Sequence, residues 1–429
     1  MPMTQAMIRA VLLLAATVGA ALATAGPAGA VVEQVPCLPD RPEPLCWSWT
    51  GTVTHISDGD TLDVDFHDDL TTETARVRIA GIQAMEQTVY SHRREIRQGE
   101  CHALEATARL EELVAASGGI VRLTAQNPDH RSRGRLRRSV AVFIDGQWID
   151  VGRVMLAEGH ALWLPHSGEW AWNETYNATS QAAAKAGVNL WNPTYCGGAP
   201  PAALKLWVHW DADGNDSRRP DDEWVRIRNL DTAPVSLGGW VLRDSSLQRF
   251  WFPADTVVPP GGTITVQVGQ GSGSLLTWGL DRGIFNNVDP ARGTGDGAYL
   301  FDPHGNLRAW MIYPCRVDCA DPNVGRFELR VQPSGREQVS IRSDADHPVD
   351  LDGYELSVGA RAYAFGPGSI VEPGETLRLR LEGSPRDDTR LDRFWPIGPG
   401  ALRNTGGVAR LRTYDGIVLA CRAWGGASC

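Results

Sequence analysis

The 429-residue chain is short of lysine: Lys185 and Lys205 are its only two, and arginine supplies the rest of its 41 basic residues. Against 51 acidic residues this leaves a formal net charge of −10, which excludes attachment to polyanions through a global basic field. Any polyanion site has to be local and built from guanidinium groups. Zinc-ligand spacing is lacking too. Cys37, Cys46, Cys101, Cys196, Cys315, Cys319, Cys421 and Cys429 are scattered, and no histidine pair accompanies them. Apart from the N-terminal stretch, no segment is apolar enough over sufficient length to span a bilayer.

That stretch, residues 1–30, has the pattern of an export signal. Arg9 is its only charge, an apolar run follows, and Ala28-Gly29-Ala30 fits a small-residue cleavage site; a cut after Ala25 also fits. Gly19, Gly26, Pro27 and Gly29 interrupt the run, which favours secretion over anchoring. An even cysteine count behind such a signal implies disulfides. The expected pairing is within domains: Cys37 with Cys46, Cys101 with Cys196, and the four C-terminal cysteines among themselves.

Length predicts about three domains at ~150 residues each. After a Pro/Cys-rich lead (31–48), strands are expected from Trp49 and over Leu62 to Phe66, with a polar tip at 67–69 and a return strand ending at Ile82. Residues 90–100 read as a loop. Helices are expected over 101–116, 151–158 and 174–186, closed by Gly118, Gly159 and Gly187. Between the first two lies Arg131 to Arg138, with five arginines in eight residues. Beyond Ala199-Pro200-Pro201 short strands alternate with Pro, Gly and Asp turns, and a repeat emerges. Glu223-Trp224-Val225-Arg226 corresponds to Glu337-Gln338-Val339-Ser340, and Leu237-Gly238-Gly239-Trp240 to Leu351-Asp352-Gly353-Tyr354. Two β units, 197–319 and 320–429, account for it. Asp211, Asp213 and Asn215 alternate as in a calcium loop, but Asp216 and Asp222 stand where that loop needs glycine and glutamate, so they read as a polar hairpin tip.

Two acidic corners stand out in 49–196. One is Asp58-Gly59-Asp60-Thr61; the other, Gly81-Ile82-Gln83-Ala84-Met85-Glu86, follows Val77-Arg78-Ile79. Carboxylates suit a hard cation and guanidinium forks suit phosphate. Together these stretches resemble the staphylococcal-nuclease (thermonuclease) family, in its Gly-Asp-Thr turn, its arginine-bearing strand and the corner that ends in glutamate. The usual corner aspartate is Gln83 here, and the usual proline is Met85. The resemblance covers Thr50 to Pro193. It implies a five-stranded OB-fold barrel with three helices, cleaving phosphodiester bonds of DNA or RNA with calcium. Asp60 and Gln83 would hold the metal, Glu86 would act as base, and Arg78 and Arg135 would clamp the phosphate. Counting back from the Asp145-Gly146 turn favours Arg137 instead of Arg135. A hairpin lengthened by two residues on both arms keeps its register and restores Arg135. Trp163 could stack a base, but with 16 tryptophans in the chain core packing is the better-founded reading for it.

The first C-terminal unit resembles a lamin tail domain, an immunoglobulin-like sandwich, through Glu223-Trp224-Val225, Leu237-Gly238-Gly239-Trp240, Val258-Pro259-Pro260-Gly261 and Gly295-Asp296-Gly297-Ala298-Tyr299-Leu300. The second is a degenerate copy. The expected fold class is therefore multidomain and mainly β, a barrel followed by two sandwiches with an extracellular or cell-envelope partner. The competing expectation, favoured by Gln83, is a non-catalytic secreted nucleic-acid-binding or envelope protein on a nuclease scaffold.

Overall fold

The computed structural model describes residues 33–67, 71–88, 99–198, 200–211, 218–271 and 276–429. The expected export signal lies outside these residues, as do most of the 67–69 tip and the 90–100 loop, and Asp213 and Asn215. Among the described residues the architecture is mainly β, with three α-helices, all in the first unit.

That unit contains β1 (Glu33–Pro36), β2 (Leu45–Asp58), β3 (Thr61–Phe66), β4 (Thr74–Ile79), β5 (Ile82–Ala84), α1 (Ala103–Ala116), β6 (Ile120–Ala125), β7 (Arg131–Ser132), β8 (Arg135–Ile144), β9 (Gln147–Asp150), α2 (Val151–Ala157), β10 (Ala161–Trp163) and α3 (Asn173–Ala186). Strand β2 pairs with both β3 and β6, so the pairings close a ring through β2, β3, β4, β8 and β6. Only β4 and β8 run parallel in it. Alternation fills the inside: Leu62, Val64, Val77, Ile79, Val121, Leu123, Val140 and Val142 are all buried. The Asp145-Gly146 turn has positive φ at both residues (51° and 82°), as a two-residue hairpin needs.

Two expectations are corrected here. Residues 33–48 of the lead form a hairpin in which β1 pairs with β2 and Cys37 bonds Cys46, so the first long strand starts at Leu45. Helix α1 opens at Ala103 because His102 has a left-handed backbone (φ 73°), which a helix cannot include. The core reading of Trp163 holds: it is fully buried with Trp172 and Trp191 and has no face for a base.

The second unit comprises β11 (Leu204–His209), β12 (Trp224–Asn229), β13 (Val235–Ser236), β14 (Val241–Asp244), β15 (Arg249–Trp251), β16 (Val257–Val258), β17 (Thr263–Gln267), β18 (Leu276–Thr277), β19 (Asp296–Phe301) and β20 (Leu307–Tyr313). Its sheets run β11-β12-β17-β18 and β15-β14-β19-β20, with β13 paired to β16. The third unit comprises β21 (Phe327–Gln332), β22 (Gln338–Ser343), β23 (Val349–Asp350), β24 (Tyr354–Val358), β25 (Arg361–Ala364), β26 (Ile370–Val371), β27 (Thr376–Arg380), β28 (Asp392–Phe394), β29 (Gly407–Thr413) and β30 (Val418–Trp424), in the same order, β21-β22-β27-β28 and β25-β24-β29-β30. The repeat extends to side chains. Buried Glu223 accepts from the Ile284 and Phe285 amides, and buried Glu337 accepts from those of Gly400 and Leu402. In both copies one carboxylate satisfies orphan amides of the connection that leads to the last hairpin.

The units are joined by packing. Tyr299, Phe301, Leu307 and Ile312 of the second unit lie in the apolar core of the first, and Trp310 meets Trp191 edge-on at 5.3 Å. Gln181 of α3 donates to the Pro314 carbonyl (2.8 Å) and accepts from the Arg316 amide (2.8 Å). Between the second and third units, Trp210 donates to the Tyr414 carbonyl (2.9 Å) and Arg226 pairs with Asp352. All eight cysteines are bonded as expected, the last four as Cys315–Cys319 and Cys421–Cys429. Such bonds persist in oxidising compartments. No helix among the described residues is long and apolar enough to cross a membrane.

Candidate functional site

The two acidic corners meet. The turn between β2 and β3 carries Gly59 and Asp60, and β5 carries Gln83 and Ala84. A Cβ on Gly59 would lie 2.8 Å from those of both Ala84 and Ala106, so only glycine lets the turn pack between β5 and α1. Asp58 caps the turn by accepting from the Asp60 amide (3.0 Å).

Asp60 is buried, and its carboxylate oxygens are engaged by several groups. It is ion-paired with Arg78, accepts from Thr61 Oγ1 (2.9 Å) and accepts from the Ala84 amide (2.9 Å). Burial pushes the Asp60 carboxyl up to about 7; Arg78 opposes this and Asp58 adds to it. Desolvation outweighs the ion pair because the carboxylate has almost no contact with solvent. Arg78 is itself buried. It donates through Nη1 to the Asp60 carbonyl (3.3 Å) and through Nη2 to Gln83 Oε1 (2.7 Å). The Gln83 amide nitrogen in turn donates to the Ala84 carbonyl and to Glu86 Oε1, both at 3.0 Å. A continuous chain therefore runs Asp60–Arg78–Gln83–Glu86. Glu86, at its end, is half-buried.

Arginines from β8 line the other side. Arg135 donates through Nη1 to Thr61 Oγ1 (3.0 Å), so one hydroxyl links it to Asp60. Burial, then the charge of Arg78, hold its guanidinium below the ordinary value. Arg137 stands in register with Arg78 across the parallel β4–β8 pair. Burial and the same neighbour push Arg137 down to about 10, and its Nε is buried with no hydrogen-bond partner. Three guanidinium groups thus crowd one place, and such a place draws in an anion.

The expected residues Asp60, Arg78, Gln83, Glu86 and Arg135 are brought together from the β2–β3 turn, β4, β5, the segment after it and β8. Sequence reasoning named Thr61 only as part of a turn and gave it no role, yet its hydroxyl joins the two halves. It also missed Glu100, whose carboxylate accepts from the Glu86 amide (2.8 Å). No signal near Glu100 pointed to this, because its partners come from strands some 150 residues away. Among the described residues no group of three or more His, Cys, Asp or Glu side chains could hold a metal ion. Of the oxygens gathered here, the Asp60 carboxylate and the Gln83 amide both face the Arg78 guanidinium, a cation already in place.

Comparison with known proteins adds one relationship. No curated protein matches the chain. A family model described as Lamin Tail Domain matches residues 208–314, which places an immunoglobulin-like lamin tail domain on the second unit, from within β11 to just past β20.

Proposed function

We propose that the first unit is an OB-fold barrel of the thermonuclease type and that the protein is a secreted hydrolase of DNA or RNA phosphodiester bonds. What carries the reading is the convergence of Asp60, Arg78, Gln83, Glu86 and Arg135 from separate elements into one hydrogen-bonded chain. The domain limits that go with it are 1–30 for the export signal, 31–48 for the lead, 49–196 for the barrel, 197–319 for the lamin tail domain and 320–429 for its repeat.

In this mechanism Arg135 and Arg78 bind the non-bridging phosphate oxygens and offset the charge that builds as water attacks. Glu86 takes a proton from that water while the oxygen–phosphorus bond forms. The ester bond to the leaving oxygen breaks, and that oxygen takes a proton from solvent. Gln83 orients both partners, since it holds Arg78 by its oxygen and Glu86 by its nitrogen. Asp60 and Gln83 are the residues that would hold calcium, their oxygens now sharing the Arg78 cation. When bound, the ion would supply further positive charge to the phosphate oxygens.

Incubating the mature protein with single-stranded DNA, duplex DNA and RNA, with calcium and with a chelator, tests the proposal. Cleavage that is lost in Glu86→Gln supports it. Binding of all three polymers without cleavage, unchanged in that variant, would favour the non-catalytic nucleic-acid-binding reading, which Gln83 in place of a charged ligand motivates.

A further inference from the structure

We infer that the lamin tail domain positions Glu86, through a clamp in which Arg249 and Arg243 hold Glu100 and Glu100 brackets the Glu86 peptide. The role of Glu86 rests on the function proposed above; the clamp does not.

The bracket works in both directions. Glu100 Oε2 accepts from the Glu86 amide at 2.8 Å, and the Glu100 amide donates to the Glu86 carbonyl, also at 2.8 Å. The neighbouring residue permits this approach: a Cβ on Gly99 would lie 2.3 Å from the Gln87 carbonyl oxygen, so only glycine lets the two segments lie so close. Glu86 is thus fixed by its backbone through Glu100 and by its side chain through Gln83.

Glu100 is held from the second unit. Arg249 Nη2, on β15, donates to Glu100 Oε1, and Arg243 Nη1, on β14, stands 3.9 Å from Oε2. Arg243 is 1% exposed, and its Nε and Nη2 are taken by the Asp244 and Ser245 carbonyls. Its Nη1 is buried without a hydrogen bond, so the Glu100 carboxylate is the salt-bridge partner it faces. Burial pulls the Glu100 carboxyl upward, but Arg243 and Arg249 outweigh it and hold the group below the usual carboxylate range. The next residue is tied as well. Cys101 is bonded to Cys196, whose amide donates to Asn306 Oδ1 of the second unit at 2.7 Å.

An interface serving stability alone would have no need to end on the backbone of the residue that faces the reacting water. The inference separates from that account in three full-length proteins: wild type, Arg249→Ala and Arg249→Lys. Amide exchange followed by mass spectrometry should be faster at Glu86 in Arg249→Ala and unchanged in β3 and β4. Arg249→Lys, which keeps a cation beside Glu100, should restore the wild-type rate. In the cleavage assay Arg249→Ala should lower kcat about tenfold with KM nearly unchanged, as expected when a reacting group is misplaced and binding is intact. Unchanged exchange at Glu86 would overturn the clamp. Faster exchange with unchanged kcat would overturn its service to the reaction. If the wild type cleaves no nucleic acid, the proposed function fails, and the exchange arm still decides whether the domain positions Glu86.

Discussion

Replacing Gln83 by glutamate tests the site at its narrowest point. The change keeps the length and shape of the side chain, so the oxygen that faces Arg78 at 2.7 Å is retained. The atom facing Glu86 at 3.0 Å changes from an amide donor to a carboxylate oxygen. Two full charges at that separation repel by about 5 kcal/mol at an effective dielectric constant of ~20. Glu86 is only half-buried, so solvent screening reduces this by about half, leaving a rise of about two pKa units for the pair. The pair then retains one proton well above the usual carboxylate range, as neighbouring carboxylates do. The acidic limb of the pH–rate profile for cleavage should move up by about two units, with activity recovering at alkaline pH. An acidic limb that stays in place would refute Glu86 as the proton acceptor. The carboxyl carbon resonance of Glu86, followed by NMR, gives the same shift without reference to activity. If it titrates alike in both proteins, the Gln83–Glu86 hydrogen bond is refuted.

Four other outcomes are expected. Arg135→Ala should cost at least about 100-fold in cleavage, the scale of losing one charge-stabilising donor. Arg137→Ala should cost less than tenfold and leave the melting temperature unchanged or higher, because it relieves like-charge crowding at Arg78; a larger loss for Arg137→Ala reverses the assignment. Gln83→Asp, which adds a charge beside Asp60, should lower the calcium concentration that half-saturates the site, measured by calorimetry; the two forms binding alike would count against Gln83 as a ligand. Between the sandwiches, burial pushes Glu355 up to about 7, against the pull of its partner Arg412, with Asp211 adding to the rise and His209 Nε2 3.8 Å away. The folded state therefore holds a proton that the unfolded chain releases above its ordinary value of 4.5, so stability from this group falls as pH rises from about 4.5 to 7. Glu355→Gln should flatten that part of the melting-temperature profile; an unchanged slope would assign it elsewhere.

Much of this protein is set locally. Period-two alternation over Leu62 to Phe66 and around Val140, glycines after the second and third helices, and the Asp145-Gly146 turn each dictate their own geometry from a few residues. The disulfide partners followed from domain grouping, and the duplication followed from spacing, down to Glu223 and Glu337 doing the same work 114 residues apart. The residues of the candidate site were legible for a similar reason: short turns and strand ends carry them in recognisable order. Tertiary structure alone decided what those residues do to one another. That Asp60 spends its charge on Arg78, that Gln83 turns its oxygen to one partner and its nitrogen to the other, and that Trp163 lies inside depend on packing between distant strands. The same holds for Glu100, whose charge is met by Arg243 and Arg249 only because Tyr299, Phe301, Leu307 and Ile312 carry the second unit's sheet into the core of the first. Hydrophobic burial is non-directional and leaves no local pattern that names its partner, so the sequence could specify each unit and stay silent on how one holds the other.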